Sequence, residues 1–515
     1  MGEALSSLFH FAETDFRVRQ SLLFLCGQNM VSWNWHKMRF WNPQLSAVIL
    51  LEELLRQWED GFRESSHKAP AVALDASRVT QAIAANFELV QESGVFEEVI
   101  VKTLSGFSFR MNQFWEDTVK EGRPTEPPTT SALKAMILSI IMIANVLITK
   151  SFPRSPQSPL TPAHENVIKA MYSILSNLHF AALLFGPSGP TGYSNFLQHF
   201  LGHFSTCSGA KELVLVSRER VFSLPDKSQT VFFFFALETF ASALTREDLE
   251  LQVFPEVVKI LEGSSTPSPQ LRSAQQFTSA LYNSRNPGVE QFTPYYAQWM
   301  IQAAKESGFD QLSLNYPPLI RGLCGSNDAL AVYCAKILIE EIAQLTDPSS
   351  PKSPSAKTSP PLRASEEGNP LGASSPVVIG ESGRLPASIA SLIKNSPIGG
   401  MMLSAQYLKV LVETIKAANL VLLDFLLPAI SKFFLDNSDF IPLSLPLQAL
   451  VHEVTLNNDY TSRADVLTWY LDLLQQLVKR GIISEDLVYE VRPPKAKGKT
   501  KNPPSPTQVK EKSKL

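Results

Sequence analysis

Apolar residues in this chain recur at three- and four-residue spacing along nearly its whole length and alternate in twos almost nowhere. A period near 3.6 gathers them on one stripe of a helix, whereas a half-buried strand needs a period of two, so the pattern predicts an all-α fold. Two segments show it best. Ser462 stands as an N-cap with Asp465 three positions on, followed by Leu467, Tyr470, Leu471, Leu474 and Val478 on one face. Lys479 and Arg480 then suit the negative end of the helix, and Gly481 suits a left-handed cap. A second helix starts at Asn327 or Asp328 and sets Leu330, Cys334, Leu338 and Ile342 four apart, with Ile337 and Leu345 widening the stripe. Similar stripes run from Leu45 to Trp58, Val79 to Val90, Glu165 to Leu184, Val231 to Leu244, Val253 to Leu261 and Leu408 to Ile415. Amphipathic helices on short connections bury their stripes against one another. That predicts stacked hairpins, a diverged armadillo- or HEAT-like helical array without a fixed-period consensus.

At 515 residues, 44% of them hydrophobic, the chain exceeds a single core. Pro153, Pro156, Pro159 and Pro162 mark one division, and a stretch from Asp347 to Pro386, dense in Ser, Pro and Gly, marks the largest. The latter cannot bury enough apolar surface to offset its ordering entropy and reads as a disordered linker. Ser350, Ser353, Ser359 and Ser375 each precede a proline there and stand either as phosphate acceptors or as plain linker serines. The expected organisation is an N-terminal helical region over 1–152, a central array over 153–346, the linker over 347–386, a C-terminal helical region over 387–491 and a basic tail over 492–515.

With 46 basic against 49 acidic residues, the formal charge of -3 argues against a general nucleic-acid binder. Four cysteines, Cys26, Cys207, Cys324 and Cys334, are too few and too irregularly spaced for a disulfide framework or a zinc site, and read as buried free thiols. No secretory signal is expected: the first apolar run follows Arg17 and Arg19 without a small-residue cleavage site. The run from Ala135 to Thr149 falls short of the roughly 20 apolar residues of a membrane span and reads as a fully buried core helix. The run from Leu420 to Leu435, broken by Asp424, Pro428 and Lys432, reads as core as well. Any membrane association is therefore expected to be peripheral.

Motifs that carry chemistry are scarce. Gly186, Gly189 and Gly192 lack the lysine of a phosphate-binding loop and follow a helical stretch rather than a strand, so they read as a helix-to-helix turn. His199 and His203 lie four apart, as helical metal ligands do, without a third ligand in view. Glu340 and Glu341 read as a solvated helix face. No catalytic residue, metal site or cofactor is expected. Trp33, Trp35, Phe40 and Trp41, interleaved with His36, Lys37 and Arg39, suit either core packing or a membrane or partner interface. Trp58 and Phe62 enclose Glu59, Asp60 and Gly61; they are either a core-facing pair or an acidic diaromatic docking motif, presenting two rings from one helix face.

The last three residues, Ser513, Lys514 and Leu515, spell the tripeptide that peroxisomal import receptors read at a free carboxyl end. Lys495, Lys497, Lys499, Lys501, Lys510 and Lys512 precede it in a Pro- and Lys-rich tail. An all-helical chain without catalytic motifs that ends this way resembles the fungal intraperoxisomal peroxin family, the eighth in the peroxin series. The resemblance is specific only at Ser513, Lys514 and Leu515; the rest is architectural. It implies a peripheral protein on the lumenal side of the peroxisomal membrane. Such a protein connects the docking and RING-finger import complexes and assists release of cargo from the tetratricopeptide import receptor, which would clamp the tripeptide. On the alternative to a core-facing pair, Trp58 and Phe62 resemble the acidic diaromatic motif through which peroxisomal import receptors bind a docking peroxin. Some members carry a second import signal; Arg17, Val18 and Leu25 fit it, but Phe24 stands where His or Gln is needed. Import through the tripeptide alone is therefore expected. A matrix enzyme delivered as cargo and a cytosolic helical scaffold are the rival readings.

Overall fold

A computed structural model describes residues 20–23, 25–26, 42–64, 69–90, 94–120, 127–151, 161–185, 191–223, 227–263, 268–307, 310–346, 397–436, 441–458 and 460–484. These residues contain nineteen α-helices and no strand. The first fourteen are α1 (Pro43–Glu64), α2 (Ala69–Leu89), α3 (Gly94–Lys120), α4 (Pro127–Ser151), α5 (Pro162–Asn177), α6 (Ala181–Phe185), α7 (Thr191–Phe204), α8 (Ala210–Val216), α9 (Arg218–Ser223), α10 (Lys227–Glu238), α11 (Phe254–Gly263), α12 (Pro269–Asn283), α13 (Thr293–Ser307) and α14 (Asp310–Leu323). The remaining five are α15 (Asp328–Thr346), α16 (Pro397–Thr414), α17 (Leu420–Asp436), α18 (Ile441–Leu456) and α19 (Tyr460–Lys479). The chain divides into two compact units between Ser326 and Asn327.

In the first unit most of the close packing is between helices two places apart, with a few neighbour contacts such as α1 on α2 and α13 on α14. Helix α1 meets α2 and α3, α2 meets α4, and α3 meets α5; farther on, α10 meets α12 and α12 meets α14. This is the two-layer stacking of a helical-hairpin array, produced because no single stripe can close its own apolar face. Between the two regular stretches lie the short helices α6, α8 and α9, and there the repeat breaks.

Helix ends follow local chemistry. Thr161 and Ser268 cap α5 and α12 by accepting from the amides of His164 and Leu271, each with proline at the first turn. Lys150, in the last turn of α4, donates to the carbonyls of Phe87 and Val90 and so satisfies the C-terminus of α2. Thr245 and Asp248 form a reciprocal capping box, at 2.9 and 3.1 Å, ahead of a π-helical turn from Asp248 to Val253 that leads into α11.

Helix α4 corrects the sequence reading. It is 25 residues long, enough to cross a bilayer by length, and of an 18-residue apolar window within Pro128–Lys150 61% is buried within the protein. Burial against α2, α5, α6 and α7, rather than shortness, marks it as a core helix. Nor is it fully buried: Leu138 and Met142 remain 37% exposed.

The second unit holds α15 to α19. Asn327 caps α15 through the Leu330 amide, as its position predicts. The sequence reading grouped α15 with the preceding array; its contacts are with α16 and α17. Asn419 caps α17 through the Leu422 amide and donates to Asp328, tying the starts of both helices together. In α19 the helix begins at Tyr460, so Ser462 lies inside it rather than at its cap. The buried stripe is Val466, Tyr470, Leu473, Leu474 and Leu477, turned from the expected one, and Leu471 is exposed. Gly481, with φ at 71°, takes the left-handed position expected of it.

Candidate functional site

The receptor-binding tripeptide Ser513, Lys514 and Leu515 lies outside the described residues, as do the linker, the basic tail, the cluster from Trp33 to Trp41, and Arg17, Val18 and Phe24. Trp58 and Phe62 are described, and both face the core. Trp58 is 0% and Phe62 6% exposed, their rings stack at 5.7 Å, and Phe62 meets Phe114 of α3 at 5.5 Å. The intervening residues also serve the fold: Glu59 pairs with Arg110 of α3, and Gly61 lets the backbone of Ala69 approach where a Cβ would lie 3.1 Å from its Cα. In this arrangement neither ring is offered to a docking partner, and exposing them would open the contact between α1 and α3.

None of the four cysteines forms a disulfide, and Cys207, Cys324 and Cys334 are buried. Burial pushes the Cys334 thiol up to about 12, which leaves it a poor nucleophile. His199 and His203 place their rings 4.5 Å apart, and burial together with the neighbouring His199 holds His203 below the usual histidine range. No group of three or more His, Cys, Asp or Glu capable of holding a metal occurs among the described residues.

One nucleophile–base pair emerges that the sequence reading missed. The Ser228 hydroxyl donates to His179 Nδ1 at 2.6 Å, and with Nε2 protonated the ring donates to Asn112 Oδ1 at 2.8 Å. Asn112 in turn donates to Glu116 at 2.7 Å. The order of partners resembles a hydrolytic triad, but Ser228 is 0% and His179 1% exposed, and the adjoining void is about 10 Å³. That space admits one water at most and no substrate. The cluster works as a buried polar latch joining α3, the turn after α5 and α10. Its partners lie 49 and 67 residues from His179, so no local spacing could have signalled it.

Two further concave features are lined by described residues of the first unit. A shallow groove of about 710 Å³ runs between α2, α4 and α7, walled by Leu138, Met142 and Phe196 and edged by Asn145, Asn195 and His199. A second cavity, of about 360 Å³, opens where the short helices interrupt the array. One face of each of four helices lines it: Leu183 of α6, Tyr193 and Leu197 of α7, Val231, Phe235 and Glu238 of α10, and Arg272, Ser273 and Gln276 of α12. Glu238 keeps contact with solvent at the mouth, and partial burial raises its carboxyl above the ordinary range. Among the described residues, neither Arg272 nor Glu238 has a side-chain hydrogen bond or ion pair. The arrangement can bind, but it presents no activated nucleophile. No family model matches the chain, and no curated protein matches it.

Proposed function

We propose that the chain is a binding scaffold of the peroxisomal matrix-import machinery, peripheral on the lumenal side of the membrane. In this reading it connects the docking and RING-finger complexes and assists the tetratricopeptide receptor in releasing cargo. The helical array supports a role in binding, because stacked hairpins present extended surfaces without needing a cofactor. The observation that carries the location is Ser513-Lys514-Leu515, an address that acts only where Leu515 bears a free carboxylate.

Deletion of the gene tests the role. A fluorescent reporter ending in Ser-Lys-Leu becomes cytosolic while an independent membrane marker still labels peroxisomal remnants; normal import of the reporter overturns the proposal. Location is tested separately. A chain lacking the tripeptide leaves the peroxisome, whereas the intact chain co-sediments with peroxisomal membrane until carbonate strips it. Release by mild lysis would instead point to a matrix enzyme carried as cargo.

A further inference from the structure

We propose that the cavity between α6, α7, α10 and α12 binds a small amphipathic monoanion, its apolar body against Tyr193, Leu197 and Phe235 and its anionic head on the Arg272 guanidinium. The inference is independent of the peroxisomal reading.

The cavity has a structural cause. Where hairpins stack regularly, the helix two places along covers each apolar stripe; α6, α8 and α9 have only five, seven and six residues. They cover α10 only in part, and Val231 and Phe235 stay half-buried and line the space. The volume of about 360 Å³ falls within the range of small-ligand sites, and the walls are apolar and aromatic with few polar groups. Its enclosure by four helices suits a compact ligand better than a helix or peptide strand, which would need an open groove.

The sign of the ligand follows from the two charges among the described lining residues. Arg272 carries a guanidinium beside apolar walls and has no carboxylate partner among the described residues. An anion brought by the ligand would complete it, and the planar fork matches a carboxylate or sulfonate. Among the described residues Glu238 is the one opposing charge in the lining, and its surroundings disfavour the ionised form. Ser194 and Gln276 supply further hydrogen-bond donors at the same mouth.

Calorimetric titration of the full chain with decanoate, decanol and decylammonium, all kept below micelle formation, tests the proposal with one tail and three heads. Decanoate is expected to saturate a single site at least about tenfold more tightly than decanol, with decylammonium weakest. Arg272→Gln, at an exposed position, is expected to cut decanoate affinity at least about fivefold and leave decanol unchanged. Glu238→Gln raises decanoate affinity, and Val231→Trp, with its helicity checked by circular dichroism, abolishes binding of both by placing an indole where the ligand's apolar body would lie. Equal affinity for the three heads, indifference to Arg272→Gln, or decanoate binding that survives Val231→Trp would each overturn the assignment. So would the absence of saturable binding.

Discussion

At the scale of single residues, the polar side chains that matter most to stability tie distant backbone together. Asn286 is 3% exposed; it donates to the carbonyls of Ala241 and Leu244 at 2.7 and 2.8 Å and accepts from the Gly288 amide at 2.8 Å. Asn286→Asp keeps the shape but turns an acceptor toward two buried carbonyls. It should lower unfolding free energy by about 3 kcal/mol or more in urea titration, and a loss below about 1 kcal/mol would refute the role. Asp248 instead joins the Lys211 side chain to the Thr245 amide. Burial works to raise its carboxyl, but the bonds from Lys211 and Thr245 to its ionised form outweigh that and hold it below the ordinary 3.8. Its stabilising effect is therefore present above 3.8 and lost as pH falls through the lower folded value. Asp248→Ala should cost about 1–2 kcal/mol at neutral pH. The gap from the unsubstituted protein should narrow as pH falls below 3.8 and through the lower folded value, as denaturation at neutral and acid pH would show.

At the scale of elements, the array depends on a few close approaches between helices. Gly322 of α14 packs against the backbone of Tyr282 at the end of α12; a Cβ there would lie 2.6 Å from the Tyr282 carbonyl carbon and closer still to its oxygen. Pro317 and Pro318 also lie inside α14 and withdraw two amide donors, leaving the carbonyls of Ser313 and Leu314 without helical partners; Leu314 is 68% exposed, within reach of water. With little freedom left to shift, Gly322→Ala should destabilise the first unit by about 3 kcal/mol, read as a lower melting temperature. Ala substitution at Gly202, which has no atom within 4 Å of its added Cβ, serves as the tolerated control.

At the scale of the whole molecule, contacts and composition divide the chain differently. Composition places the main break in the Pro-rich stretch after Asp347, whereas packing places it between Ser326 and Asn327. The difference is α15, whose Ala331, Cys334, Ala335, Leu338 and Ile342 are buried in the unit it shares with α16 and α17. A fragment of residues 327–515 should therefore melt cooperatively with strong helical dichroism. One beginning at 347 exposes the faces that α15 covers and should lose at least about 5 kcal/mol, enough to abolish a cooperative transition. Equal stability of the two fragments would return α15 to the preceding array.

The sequence by itself determined the helices, because periodicity, caps and breakers act within a few residues: the Asn327 cap and the Gly481 terminus stand where local chemistry puts them. It also marked Trp58 and Phe62 as two rings on one helix face, but which way that face turns is set by α3, and only the packed structure turns it inward. The latch at His179 and the cavity at Arg272 were likewise decided by tertiary structure. Each gathers residues tens of positions apart, through the choice of which helix stacks on which. That choice depends on the fit of whole surfaces, and no short window of residues records it.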